Sequence, residues 1–294
     1  MKIAYLLLVH TNPSQVNQLI RSLDNGKNHM FVHVDRKSGI QDEILHNEKV
    51  HFVANPLSVK WGDFTLVEAT IALCRLAMQF PEEFDYVVFL SGQDYPIKSN
   101  EEIEQYFEKH RGKQFFKVRK MPYDDWQHHS GGFDRIRVYF PKQFIDRRHR
   151  TWVMRHYWIR LSKALGLTRS IDFFDAYYGC SQWFGASREA MAYIIKFLDD
   201  NPDILKFFQN SFIPDEILFN TIIMNSPFKD KVVPHDLRLV EWTKTEENPR
   251  IWRTGDIDNL RDSEYLYARK FDIRKDDQVL NRIDSYRRQA ARAS

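Results

Sequence analysis

Two stretches of the chain place carboxylates where chemistry could use them. The first is Tyr86 to Ser99, YVVFLSGQDYPIKS, in which an apolar run stops at Ser91-Gly92 and turns through Gln93, Asp94, Tyr95 and Pro96. The run Tyr86 to Leu90 reads as a buried strand. A strand ending in Ser-Gly-x-Asp sets one carboxylate and several free backbone groups at the C-terminal edge of a sheet, where open α/β sheets bind ligands. Gly, Asp and Pro are also ordinary turn residues, so this stretch alone leaves both readings open. The second is Ile213-Pro214-Asp215-Glu216, followed by Ile217, Leu218 and Phe219. It reads as a helix start with two adjacent carboxylates. Either these complement the helix dipole, at about 0.3–1 kcal/mol per charge, or one of them is a general base at the mouth of a cleft. His10, at the end of the first apolar run, and Trp61, just before a helical pattern, could line the same sheet edge, although each also reads as an ordinary loop or core residue. His128 and His129 are adjacent and cannot face one metal as an i, i+4 pair could, and no H-E-x-x-H or Cys/His spacing supports zinc.

The elements that must position these groups follow from periodicity. Ile3 to Val9, His29 to Asp35, Val50 to Ala54 and Tyr86 to Leu90 read as strands. Between them, Pro13 opens a helix carrying Val16, Leu19, Ile20 and Leu23, and Phe64 to Met78 is a second helix. A third helix begins at Asn100-Glu101-Glu102. This alternation predicts a mostly parallel, doubly wound sheet. Farther on, Phe115 to Met121 and Gln182 to Ala186 read as strands, Ser187 to Leu198 as a helix capped by Ser187, and Lys231 to Trp242 as an extended segment. Neither G-x-G-x-x-G nor a Walker loop is present, so dinucleotide and P-loop chemistry are not supported.

A chain of 294 residues with 43% hydrophobic and 28% charged residues has the composition of a globular protein with a sizeable core. A net charge of +3 is too small to argue for nucleic acid. Two cysteines cannot form a disulfide framework, and Cys74, in an apolar helical pattern, is expected to be a buried thiol. The run Ile3 to Val9 is too short to cross a bilayer and lacks a cleavage site, so neither a signal peptide nor a membrane span is expected. One segment stands out: Arg147 to Arg169 holds seven Lys or Arg and no acid, with Trp152, Val153, Trp158, Ile159, Leu161 and Leu165 interleaved. It is expected to be a helix docking its Trp face on the core, with contact to an anionic membrane surface as the other reading. The basic tail after Arg282 is expected to fray.

The ordered set VHVD (Val32 to Asp35), LSGQDYPIKS (Leu90 to Ser99), GCSQWF (Gly179 to Phe184), IPDE (Ile213 to Glu216), LVEW (Leu239 to Trp242), NPR (Asn248 to Arg250) and ARKFD (Ala268 to Asp272) resembles the core-2/I-branching glycosyltransferases, which include the peptide O-xylosyltransferases. The resemblance spans about residues 3–272. It implies an α/β GT-A nucleotide-diphosphosugar transferase fold over residues 1–272, with 273–294 a basic extension, and inverting transfer from a UDP-sugar without a metal. UDP-GlcNAc is the expected donor, with UDP-xylose and UDP-glucose the nearest alternatives.

Carried over residue by residue, the resemblance makes Glu216 the base and Lys270 a leaving-group cation. The diphosphate arginine falls on Arg250, with Arg253 the alternative, and the uridine-side aspartate on Asp35. Ser91, Gly92 and Asp94 stand where a metal-binding D-x-D belongs, and Asp94 is expected to orient donor hydroxyls or a partner cation. The one literal D-x-D, Asp256-Ile257-Asp258, falls too late in the chain for that role. Trp183, Trp242, Asp215 and Arg135 are expected on the acceptor side. The chemistry suits these types: a carboxylate takes the acceptor proton on the face opposite the leaving group, and fixed cations take the charge that builds on the departing diphosphate. The expected acceptor is a glycan or lipid-linked glycan, not a nucleic acid. The anchor, stem and disulfide cysteines of the animal members are not found, which suits a bacterial-type cytoplasmic enzyme, peripheral at the inner face of the plasma membrane. A non-catalytic sugar- or nucleotide-binding module is the rival reading.

Overall fold

β1 (Ile3–Val9) is apolar along its whole length because both faces of the sheet it enters are covered. Ala4 and Leu6 join one buried cluster, and Ile3, Tyr5, Leu7 and Val9 join another on the opposite face. The computed structural model describes residues 1–146, 149–242 and 248–293. β2 (His29–Val34), β3 (Val50–Phe52) and β4 (Tyr86–Ser91) complete the parallel half. β5 (Asp94–Pro96) leaves this sheet, and β6 (Gln114–Lys120), β7 (Tyr178–Ser187) and β8 (Val232–Val233) extend it. The order is β3-β2-β1-β4-β7-β6-β8, and β7 alone runs against both its neighbours. This is the mostly parallel, helix-flanked α/β sheet that the sequence predicts.

The helix Pro13–Leu23 covers one face through Val16, Leu19, Ile20 and Leu23, and the helix Thr65–Gln79 covers the other through Val67, Ile71, Leu73 and Cys74. Cys74 is wholly buried and its thiol pKa is raised by that burial. Ser99 starts the helix Asn100–Lys109 with a reciprocal cap, its hydroxyl accepting from the Glu102 amide and the Glu102 carboxylate accepting from its own.

Three expectations give way. The segment Lys231 to Trp242 is not one strand: Val232–Val233 joins the main sheet, whereas β9 (Arg238–Val240) pairs with β10 (Tyr267–Arg269), which pairs in turn with β5 in a second, three-stranded sheet. β7 is ten residues long, twice the expected strand. The basic tail is not frayed but forms the helix Val279–Ala293. Its Val279, Leu280 and Ile283 are core, and Arg287 is buried, donating to the Lys98 carbonyl at 2.7 Å. Among the described residues no helix is long and apolar enough to cross a membrane. Arg147, Arg148 and the side chains of His128 and His129 lie outside the described residues.

Candidate active site

Parallel register brings the strand ends together. Val9 pairs with Val34 and Leu8 with Ser91, so His10, Asp35 and Gly92 emerge side by side at the C-terminal edge of the sheet. The Asp35 carboxylate accepts from the Lys37 amide at 3.2 Å and lies 3.1 Å from Lys37 Nζ. The His10 imidazole has its pKa lowered, first by desolvation. Asp35 opposes that shift, while Arg269, Lys270 and Lys37 add to it. Three cations thus bear on one ring at this edge.

The Ser-Gly-Gln-Asp turn differs from its expected form. Its amides are not free: Ser91 N–H donates to Asp94 at 2.5 Å, Gly92 N–H to the Leu8 carbonyl at 3.2 Å, and Gln93 N–H to Ser91 Oγ at 3.1 Å. Gly92 serves packing, since a Cβ there would sit 2.9 Å from Val16 Cγ2 and 3.2 Å from Val9 Cγ1. Asp94 is wholly buried and faces cations. Its Oδ1 accepts from Arg238 Nε at 3.0 Å, and its Oδ2 lies 3.6 Å from Arg269 Nη1, which also donates to Ser91 Oγ. The small sheet fixes this pairing, because Asp94 and Arg269 stand directly opposite in its register. Both guanidiniums lie over the Trp183 ring, at 4.7 and 5.0 Å. Trp183, expected as a sugar-stacking face, is therefore buried beneath two arginines.

Lys270 follows Arg269 and is half-buried. Burial lowers its pKa first and Arg269 next, with Asp272 opposing. Among the described residues its ammonium has no hydrogen bond or ion pair, which leaves a cation open to an incoming anion. Arg250 is engaged: Nη1 lies 2.9 Å from Glu241 Oε2, and Nη2 pairs with Asp256. Asp256 also accepts from the Arg253 amide at 2.9 Å, so the first carboxylate of the literal D-x-D is a structural brace, while Asp258 is exposed and pairs with Arg261 on its own helix. The Arg253 side chain is exposed and, among the described residues, unpaired. Of the two candidate diphosphate arginines, Arg253 is the one with a guanidinium to offer.

The second carboxylate pair sits at the turn Pro214–Glu216, which leads into the helix Leu218–Met224. Glu216 Oε2 accepts from Arg135 Nη1 at 2.7 Å, and the glutamate side chain is 31% exposed whereas Arg135 is buried. Burial raises the Glu216 pKa and Arg135 lowers it. Asp215 is buried, and among the described residues its Oδ1 has no hydrogen-bond partner. Its pKa is pushed up to about 8, first by burial and then by Glu216. Arg135 is clamped in turn, its guanidinium 3.7 Å from the Trp126 ring centroid. Gly179 makes room for that ring, since a Cβ there would meet Trp126 at 2.5 Å and the Glu216 carbonyl at 3.2 Å.

β7 connects the two halves, running from Gly179 beside Glu216 to Trp183 beneath the arginines. The four residue steps between them cover roughly 13 Å. Trp61, expected on the donor side, lies instead near the carboxylate turn, 5.9 Å from the Trp152 ring and 6.2 Å from Phe212. Trp242 is 65% exposed at the rim, bridged to Pro249 through its backbone. Sequence reasoning missed Arg238, and it passed over Arg269 beside the chosen Lys270. The two basic residues in LYARKFD were the available signal for Arg269.

A family model described as Core-2/I-Branching enzyme matches residues 3–262. Xylosyltransferase 2 of Mus musculus is 27% identical over 253 residues, 83% of this chain and 27% of its own length. Xylosyltransferase 1 of Rattus norvegicus is 24% identical over 313 residues, 97% of this chain and 35% of its own length. The chain thus spans about a third or less of the curated relatives it matches. Among solved structures, apo mouse xyloside xylosyltransferase 1 aligns over 90% of this chain and 97% of that one, at 13% identity and a TM-score of 0.38.

Proposed function

The chain belongs to the core-2/I-branching enzyme family, and from that premise we propose that it moves a sugar from a UDP-sugar to a hydroxyl of a glycan or lipid-linked glycan, with inversion. The observation that carries this reading is one strand, β7, that sets Gly179 beside the part-exposed, arginine-held carboxylate Glu216 and Trp183 beneath Arg238 and Arg269, the latter followed directly by Lys270. Glu216 takes the proton of the acceptor hydroxyl. The acceptor oxygen attacks the anomeric carbon from the face away from the diphosphate, the bond from that carbon to the phosphate oxygen breaks, and UDP leaves with both electrons. Lys270, Arg253 and His10, once it takes up a proton beside the bound diphosphate, meet the charge that develops there. Arg135 fixes the rotamer of Glu216.

The role given to cations is a proposal that the reaction proceeds without a divalent metal. What supports it is the environment of Asp94: both oxygens are taken up by Arg238, Ser91 and Arg269, a setting that suits a carboxylate answering cations of its own chain. UDP-GlcNAc and UDP-xylose are the donors to compare first, the names of the relatives favouring xylose and UDP-glucose being the third candidate. The test is thermal stability against UDP, GDP, CDP, ADP and their sugars, with and without EDTA. A ligand at 100 times its Kd adds about 2.7 kcal/mol. Stabilisation by UDP or one UDP-sugar that survives EDTA is expected, and stabilisation that EDTA abolishes would return the diphosphate to a metal. UDP binding without transfer to any glycan acceptor would leave a binding module.

A further inference from the structure

The segment from His149 to Ile171 contains five arginine or lysine residues and no acid. Its two tryptophans face inward. Trp158 stacks on Phe144 at 5.1 Å and donates to the Tyr139 carbonyl at 2.9 Å, while Trp152 lies 5.8 Å from Phe212. Ile159 and Ser162 are buried on the same side of the helix Arg155–Ala164. That docking fixes what faces out. Tyr157, Leu161 and Leu165 follow at i, i+4 spacing and are 70%, 51% and 62% exposed, with Val153 before them and Leu167 after them also exposed. At 3.6 residues per turn Tyr157, Leu161 and Leu165 share an arc of about 80°, and Arg160 borders it on the side away from Trp158. Arg150 stands exposed at the near end. Lys163 is partly engaged, 3.2 Å from Asp134.

We propose that this face docks on an anionic lipid surface, the aliphatic side chains and Tyr157 entering the headgroup layer while Arg150 and Arg160 meet lipid phosphates. An exposed apolar arc bordered by cations, on a segment without acids, has the charge pattern of an interfacial helix. The helix is held to the body through Trp158 and Ile159, so docking requires no unfolding. Because Trp152 contacts Phe212, three residues before Asp215, the docked face adjoins the carboxylate side of the candidate site.

The test is co-sedimentation of the full chain with vesicles of neutral phosphatidylcholine, alone or mixed with phosphatidylglycerol, at low and high salt. Expected is pelleting with anionic vesicles that weakens at high salt and falls about tenfold in Tyr157→Ser/Leu161→Ser/Leu165→Ser and again in Arg150→Glu/Arg160→Glu. Both variants change exposed side chains, so they should keep the wild-type melting temperature and UDP-induced shift, which separates this inference from the proposed transfer reaction. No pelleting, equal pelleting with neutral vesicles, or pelleting unchanged by both variants would overturn it. A dimer in sedimentation velocity that the serine variant dissolves, without vesicle binding, would assign the face to a second copy and also overturn it.

Discussion

Arg238 Nε lies 3.0 Å from Asp94 Oδ1 with neither side chain reaching solvent. Breaking such a pair from one side strands the other charge. Asp94→Ala is therefore expected to cost about 3–5 kcal/mol, seen as a lower urea midpoint. The double variant Asp94→Leu/Arg238→Met should recover part of that loss. If Asp94→Ala is as stable as wild type, the buried pair is not the keystone of the small sheet.

Arg135 acts on Glu216 in two ways, through position and through charge. Arg135→Ala removes the influence that lowers the Glu216 pKa and leaves the burial that raises it. The acidic limb of kcat/KM against pH should move to higher pH, with kcat reduced about 10²-fold, the scale of losing one fixed electrostatic contact. Arg135→Lys should restore part of the rate. A variant with an unmoved acidic limb would detach Arg135 from the base.

Asp215 makes stability depend on pH. Below the ordinary carboxylate range both folded and unfolded chains hold its proton. As pH rises towards about 8 the unfolded chain releases the proton while the folded chain keeps it, so stability falls over that window. Glu216, raised in the same direction, adds to the slope. Asp215→Asn should flatten the decline between pH 5 and 8 in urea titrations, and an unchanged slope would place the proton elsewhere.

If the cations at the sheet edge hold UDP as proposed, its binding is tied to protons. The His10 and Lys270 pKa values are both lowered in the free protein, and a bound diphosphate favours their charged forms. Binding should take up protons and weaken as pH rises through the His10 transition, measured by calorimetry in buffers of differing ionisation enthalpy. His10→Gln should remove most of the uptake near neutral pH. Lys270→Ala should weaken UDP binding at every pH. Proton release on binding would contradict both assignments.

Gly179→Ala sets a Cβ into the Trp126 ring. Overpacking of this kind costs about 1–3 kcal/mol. Because Trp126 carries Arg135, the variant should also lower kcat more than it raises KM, which a remote packing defect would not do.

The long regular elements were legible in the sequence, and the short ones were not. β1, β2 and β4 announce themselves as apolar runs because both their faces are covered. β7 hides its first half, since Gly179, Cys180 and Ser181 are small residues with no apolar pattern. The small sheet is built from strands of three residues each, too short for a period to register. Arg238 and Arg269 escaped for a related reason: an arginine in sequence looks like surface, and only a partner drawn in from a distant segment makes burial tolerable. Glu216 was found by family resemblance, because two carboxylates at a helix start are equally well explained by the dipole.

The contact between Ser91 and Arg269 joins residues 178 apart along the chain. A polypeptide emerging during synthesis completes the whole parallel half of its main sheet long before Arg269 exists. The cation end of the site is thus assembled late, and only by a chain that has already closed a very long loop. Nascent or truncated chains that contain Trp183 but end before Arg238 would expose Trp183 without its covering arginines, a sticky surface in place of a binding edge. Recovery of UDP binding during refolding should therefore lag behind recovery of helical signal, and would report the closing of the fold itself.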